Sequence, residues 1–243
     1  MEKKQLYILL AGCAAALAVV LCLVLPADKK TQEPLPAETT LPETTEAATE
    51  PAQTEPEWNL ILTNPWNPLP EDFTVELQEI ENGHEVDKRI AAQLEAMLRD
   101  ARKEGLEPLI VSSYRTMEKQ DALHNNRIKR FMEEDGLDLD TAIVEAGKWV
   151  AVPGTSEHQT GLAVDIVAES FPVLEAEQEN TAEQQWLMEN SWKYGFIMRY
   201  PSDKSDLTGI YYEPWHYRYV GGRAAEEIYK TGVCLEEYLE SLK

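Results

Sequence analysis

Cysteine is nearly missing from this chain. Of three in 243 residues, Cys13 and Cys22 fall in one apolar run and only Cys234 lies in the remainder. A single thiol can form neither an intrachain disulfide nor a cysteine-rich metal site. Basic residues are scarce as well: 22 Lys and Arg stand against 44 Asp and Glu, a formal net charge of −22. Nucleic acid is bound by a basic surface that displaces counterions, so this balance argues against nucleic acid as a partner. The chain has no glycine-rich loop suited to cradling phosphate and no G-x-S-x-G elbow. Both absences disfavour nucleotide binding and a serine-hydrolase triad. No internal repeat is visible.

What is present divides into three parts. Leu6 to Pro26, "LYILLAGCAAALAVVLCLVLP", is uncharged. At about 20 apolar residues it is long enough to cross roughly 30 Å of hydrocarbon. Residues 1–26 are expected to be a cytoplasmic start and a transmembrane anchor. A cleaved signal peptide ending near Ala27 and a lipoprotein signal at Leu10–Cys13 are the alternatives. Residues 27–57 are Thr, Glu and Pro, with eight acids against two lysines. Such a segment has almost nothing to bury and reads as a disordered, extended stalk. It is expected to hold the following domain outside the cell membrane.

Trp58 to Lys243 is 186 residues, one domain with room for a core. It carries 18 basic and 35 acidic residues. Ile90, Leu94, Met97, Leu98 and Ala101 recur at helical spacing, with Asp87 as candidate cap and Gly105 as stop. "PLIVSSY", Pro108 to Tyr114, reads as a buried strand. Helices follow through "MEKQDALHNNRIKRFMEE" and near "LDTAIVEAGKWV", the latter with Asp140 or Thr141 as cap. "GLAVDI" alternates as a strand, "TAEQQWLMENSWKYG" is helical, and "FIMRY" and "GIYYEPWHYRYV" are strand-like. "GGRAAEEIYKTG" is a short helix. Helices first, then strands mixed with helices, predict an α+β domain with a central, mainly antiparallel sheet flanked by helices.

Four histidines lie in the domain. His84 follows Asn82-Gly83 in a turn and is expected to be solvated. His124 sits on a polar helix and is expected at the surface. His158 precedes Asp165 in "PGTSEHQTGLAVDI", and an isolated carboxylate in an apolar strand is costly unless a cation meets it. His216 lies in the aromatic stretch "YYEPWHYRYV". Two imidazoles and a carboxylate suit a catalytic zinc with a fourth position open for water. The alternative is a salt-bridged or capping Asp165 and two satisfied core histidines. Glu213, three before His216, would face the opposite way in a regular strand. Pro214 between them can bend the strand and bring both to one cleft, where Glu213 would serve as a general base. Arg115 at the end of its strand is either an anion clamp or a structural ion pair.

"SSYRTMEKQ", "PGTSEHQTGLAVDI" and "EPWHYRYVG" together resemble, in order and spacing, the zinc D-alanyl-D-alanine carboxypeptidases of the VanY type, a family that includes related L,D-carboxypeptidases. "NPWNPLPEDF" looks like the family's opening segment. The resemblance implies an α+β fold, one zinc, and peptidoglycan stem peptides as substrate. It implies His158, Asp165 and His216 as zinc ligands, Glu213 as catalytic base and Arg115 as clamp for the free terminal carboxylate. Gln120 and Ser156 match positions that line the substrate cleft. Ser113 departs from the glycine common before the Tyr-Arg pair and could alter the fit there. An L,D-carboxypeptidase acting on tetrapeptide stems, an endopeptidase and a non-catalytic wall-binding module are the competing expectations.

Overall fold

The strand that carries Asp165 is the centre of the architecture. The computed structural model describes residues 57–243. The expected anchor, 1–26, and all of the expected stalk but its last residue lie outside the described residues. Among the described residues no helix is long and apolar enough to cross a membrane. A short turn at Trp58–Leu60 leads to a hairpin of β1 (Leu77–Glu79) and β2 (Glu85–Asp87). Then come α1 (Ala91–Lys103), β3 (Pro108–Ser112), α2 (Met117–Glu134) and α3 (Leu139–Gly147). A tight turn at Glu157–Thr160 feeds β4 (Ala163–Ala168). After α4 (Ala182–Asn190) come β5 (Phe196–Tyr200), the single-turn α5 (Ser205–Thr208) and β6 (Glu213–Tyr219). The chain closes with α6 (Gly222–Thr231) and α7 (Leu235–Ser241).

The main sheet has the order β3-β4-β6-β5 with every pair antiparallel, as expected for the α+β reading. β4 is flanked on both sides, and all six of its residues are buried. Alternation along β4 sends Val164 and Ile166 into one apolar cluster. There they meet Leu94 and Met97 of α1, Ile110 of β3, Leu187 of α4 and Tyr217 of β6. Each fully buried side chain of this size contributes about 1.5–3 kcal/mol. The same alternation turns Asp165 to the opposite face. A second apolar cluster joins Ile197 of β5 and Val220 to Ala225 and Ile228 of α6 and Leu235 of α7.

Two expected caps are corrected. α1 begins at Ala91, after a turn at 88–90, and Asp87 does not cap it. The Asp87 carboxylate instead accepts from the Arg89 backbone at 2.9 Å and pairs with the Arg89 guanidinium. For α3 the cap is Asp138, which accepts from Thr141 N at 3.1 Å, because the helix starts one residue before Asp140. Gly161 is required where it stands. Its φ is +73°, and a Cβ there would lie 2.8 Å from the Asp87 backbone nitrogen. That close approach lets Gly161 O accept from Asp87 N and binds the small hairpin to the start of β4.

Candidate active site

Two irregularities in the sheet aim the functional side chains. β3 pairs with β4 in register up to Ile110 opposite Ile166, but then Ser112 faces Asp165, one residue out of step. This bulge ends the strand and releases the segment that carries Arg115. On the other side, Met198 of β5 faces Tyr217, yet Tyr200 faces Glu213. Two extra residues are therefore accommodated in β6 between Glu213 and Tyr217, where Pro214 lies. The expected bend is real: Glu213 Oε2 lies 3.7 Å from His216 Nδ1.

His158, Asp165 and His216 come together. They are all buried, and one donor atom from each lies within 4.8 Å of the others. His158 Nε2 is 3.2 Å from Asp165 Oδ2, and His216 Nδ1 is 3.0 Å from Asp165 Oδ1. The outer nitrogen of each imidazole is already committed. His158 Nδ1 donates to Ser113 O at 2.8 Å, and His216 Nε2 meets Glu157 Oε2 at 3.3 Å. These partners orient both rings and turn the remaining nitrogen of each toward Asp165, the nitrogen that would meet a metal. Two nitrogens and one carboxylate oxygen, with no fourth side-chain donor grouped with them among the described residues, fit a zinc ion with an open position.

Electrostatics separate the two rings. Burial pushes His158 down to about 4, and the Arg115 charge adds to this. Burial also opposes charge on His216, but its bonds to Asp165 and Glu157 outweigh it and raise that ring to about 9. Burial pushes the Glu213 carboxyl up to about 8, with His216 and Arg115 opposing and Asp165 reinforcing the rise. Burial acts on Asp165 in the same sense, yet His158, His216 and Arg115 hold it well below the usual carboxylate range.

Arg115 is anchored on three sides. Its Nη2 donates to Asp165 Oδ2 at 2.9 Å, its Nε to Ser112 Oγ at 3.0 Å and its Nη1 to Gln120 Oε1 at 3.2 Å. It is thus an ion pair with Asp165 and also part of a cleft of about 340 Å³. Ser156, Glu213 and the three donors line the same cleft. Gln120 is fully buried and is not part of that lining. Its amide bridges Arg115 and Ala151 O, at 2.7 Å to the carbonyl. Ser113 turns away from the clamp: its Oγ accepts from Glu85 N at 3.2 Å and meets His84 Nδ1 at 3.0 Å. His84 is accordingly half-buried rather than solvated. His124 is buried too, with Nδ1 donating to Val150 O at 2.7 Å, because α2 packs against α3 and the segment after it.

Sequence reasoning assigned no role to Glu157, which is 1% exposed. Its Oε1 accepts from Arg199 Nε at 2.7 Å and from Arg218 Nη1 at 2.8 Å. Arg199 also pairs with Glu236 of α7, and Arg218 Nη2 donates to the carbonyls of Asn59 and Ile61. Burial works to raise the Glu157 carboxyl, but the two guanidiniums win and hold it far below its ordinary value. The available signal was its place next to His158 in "SEHQ".

Comparison with known proteins matches residues 83–222 to the family described as VanY: D-alanyl-D-alanine carboxypeptidase. A D-alanyl-D-alanine carboxypeptidase of Enterococcus faecalis (strain ATCC 700802 / V583) is 47% identical over 189 residues, covering 78% of this chain and 68% of the relative. Among solved structures, VanYB in complex with D-alanine-D-alanine is 47% identical with a TM-score of 0.71, over 77% of this chain and 100% of that one. A mutant of the vancomycin resistance D,D-pentapeptidase VanY from the VanB-type resistance cassette, in complex with Zn(II), is likewise 47% identical. Its TM-score is 0.69, over 75% of this chain and 99% of that one.

Proposed function

The chain belongs to the VanY family of D-alanyl-D-alanine carboxypeptidases, and from that premise we propose how its own residues divide the reaction. It is a zinc-dependent carboxypeptidase that hydrolyses the C-terminal residue from peptides ending in D-Ala-D-Ala, a peptidoglycan-related substrate. One observation carries the residue assignment. Three convergent donors, a buried glutamate and an arginine with N–H groups to spare occupy a single cleft.

His158 through Nε2, Asp165 through its carboxylate and His216 through Nδ1 would hold the zinc. When bound, the ion supplies a Lewis acid for the scissile carbonyl and for the attacking water. Glu213 takes the proton of that water and returns it to the leaving amine. Burial raises the proton affinity of its carboxyl above that of an exposed glutamate. Arg115 commits three of its five N–H donors to the protein, and the others grip the substrate's terminal carboxylate. Gln120 braces Arg115 from behind. Ser156 contributes to the wall of the cleft. Requiring a free carboxylate makes the enzyme an exopeptidase.

We also propose that Met1–Pro26 holds the chain in the cell membrane, with residues 27–57 as a stalk and the catalytic domain outside. The uncharged run Leu6–Pro26 supports this, as does a wall-derived substrate. Protease digestion of intact cells tests it: a shielded domain would overturn the topology.

Mass spectrometry of the full chain incubated with a pentapeptide ending in D-Ala-D-Ala tests the catalytic reading. Loss of one alanine, abolished by chelator and restored by zinc, is expected. A peptide with an amidated C-terminus should be refused, and its cleavage would favour an endopeptidase. Cleavage of an L-Lys-D-Ala tetrapeptide alone would reassign the specificity to L,D.

A further inference from the structure

The residues assigned above leave one wall of the cleft without a role. On α2, Gln120, Leu123, Arg127 and Arg130 are spaced by three, four and three residues and share a face. Leu123, Arg127 and Arg130 line the same cleft as Arg115. Arg127, Arg130 and Trp149 also line an adjoining chamber of about 660 Å³. Two neighbouring guanidiniums repel each other, so the arrangement is costly without an anion.

Asp135 and Glu134 lie near enough to favour the Arg127 charge without bonding it. Among the described residues no carboxylate forms an ion pair with it, and its Nε is buried without a hydrogen-bond partner. Its planar group lies 4.9 Å from the Trp149 ring and 4.8 Å from Phe131. Stacking of this kind restrains the guanidinium while leaving its N–H edge free to take a carboxylate in two-point fashion. Among the described residues Arg130 reaches only Glu134, at 3.3 Å, and both side chains are about 60% exposed. Such a surface pair contributes little and yields readily to a better partner. Glu175 and Glu177 line the adjoining chamber but pair with neither arginine. Their charge confines any bound anion to the α2 wall.

Helix geometry supplies the distance. At 1.5 Å rise per residue, Arg127 lies about 10 Å along α2 from Gln120, which touches Arg115. An extended peptide covers about 3.3–3.6 Å per residue. A substrate whose terminal carboxylate meets Arg115 has therefore run about three residues when it reaches Arg127. We propose that Arg127 and Arg130, with Trp149 beneath Arg127, form an anion subsite for a carboxylate that the substrate carries about three residues upstream of its C-terminus. The subsite rests on the placement of the terminal carboxylate at Arg115 and would make the enzyme select acidic over amidated peptides.

The test uses the zinc-loaded full chain and two pentapeptides ending in D-Ala-D-Ala. They differ only at the residue three before the last, a glutamyl carboxylate in one and its carboxamide in the other. The acidic peptide is expected to show about tenfold higher kcat/KM, expressed in KM, the scale of one charge-assisted hydrogen bond. Arg127→Gln combined with Arg130→Gln should bring the ratio of the two peptides to about one, and Arg127→Lys should restore part of it. Equal cleavage of both peptides by the unmodified enzyme, or a ratio unchanged in the double variant, overturns the subsite. Calorimetric binding of the same peptides to the full-length Glu213→Gln chain reads the preference without turnover. A binding preference with no cleavage by the unmodified enzyme would keep the subsite and count against the catalytic assignment instead. Absence of preference in binding would sink the subsite alone.

Discussion

Glu157 Oε2 lies 3.3 Å from His216 Nε2, on the side of the ring away from Asp165, while Glu157 Oε1 takes Arg199 at 2.7 Å and Arg218 at 2.8 Å. A carboxylate fixed by two buried arginines thus orients a candidate zinc ligand. Arg199 links it to α7 and Arg218 links it to the segment at Asn59–Ile61. Asn64 joins the same group by donating to Glu236 Oε1 at 3.0 Å. The two ends of the domain are tied to one histidine.

Glu157→Gln should therefore act twice. Removing the charge leaves the buried Arg218 without a carboxylate and Arg199 with Glu236 alone, a loss of about 3–5 kcal/mol in denaturant unfolding. It also loosens His216, so zinc affinity should fall by about 10–100-fold in a competition titration. Unchanged zinc affinity in a folded variant would refute the orienting role.

Glu213→Gln should keep zinc at wild-type stoichiometry and lose turnover by roughly 10²–10⁴-fold, the range of a positioned proton carrier. Metal content and kcat are measured on one preparation. A variant that retains activity would remove Glu213 from the base position.

Arg115→Lys keeps the charge and loses the planar fork. KM for D-Ala-D-Ala peptides should rise by about tenfold or more, because a point charge cannot serve Asp165, Gln120 and a carboxylate together. An unchanged KM would reduce Arg115 to the ion pair with Asp165.

Cys234 provides a test by pH. It is buried, and burial pushes its thiol up to about 11. The folded state therefore holds this proton more tightly than the unfolded chain, whose thiol titrates lower. Its contribution to stability is complete below about pH 9 and is lost as pH rises toward about 11. Alkylation at pH 8 should be slow in the native protein and rapid in denaturant. Fast native alkylation would show that α7 opens readily.

Local chemistry made much of this legible. Apolar spacing in α1 and the alternation of β4 are consequences of side chains facing one core, so both could be read from the chain. The bend at Pro214 followed from a missing N–H. The caps were misplaced because the Asp87 carboxylate is taken by Arg89, and because Asp138, Asp140 and Thr141 are all suitable cap residues, among which only the backbone geometry selects Asp138. His124 looked solvated beside Asn125, Asn126 and Arg127, yet only its own helix face matters, and that face packs on the segment at Val150.

The sequence by itself determined the α+β class, the acidic surface and the residue types able to hold a metal, because each depends on composition and short-range periodicity. Tertiary structure decided the rest. Asp165 and His216 are 51 positions apart and meet only because β4 and β6 are neighbours in register. Glu157 and Arg218 are 61 apart, and neither could be matched by spacing. Which buried charges face each other depends on strand order and bulge position, and these are fixed by the packing of the whole domain.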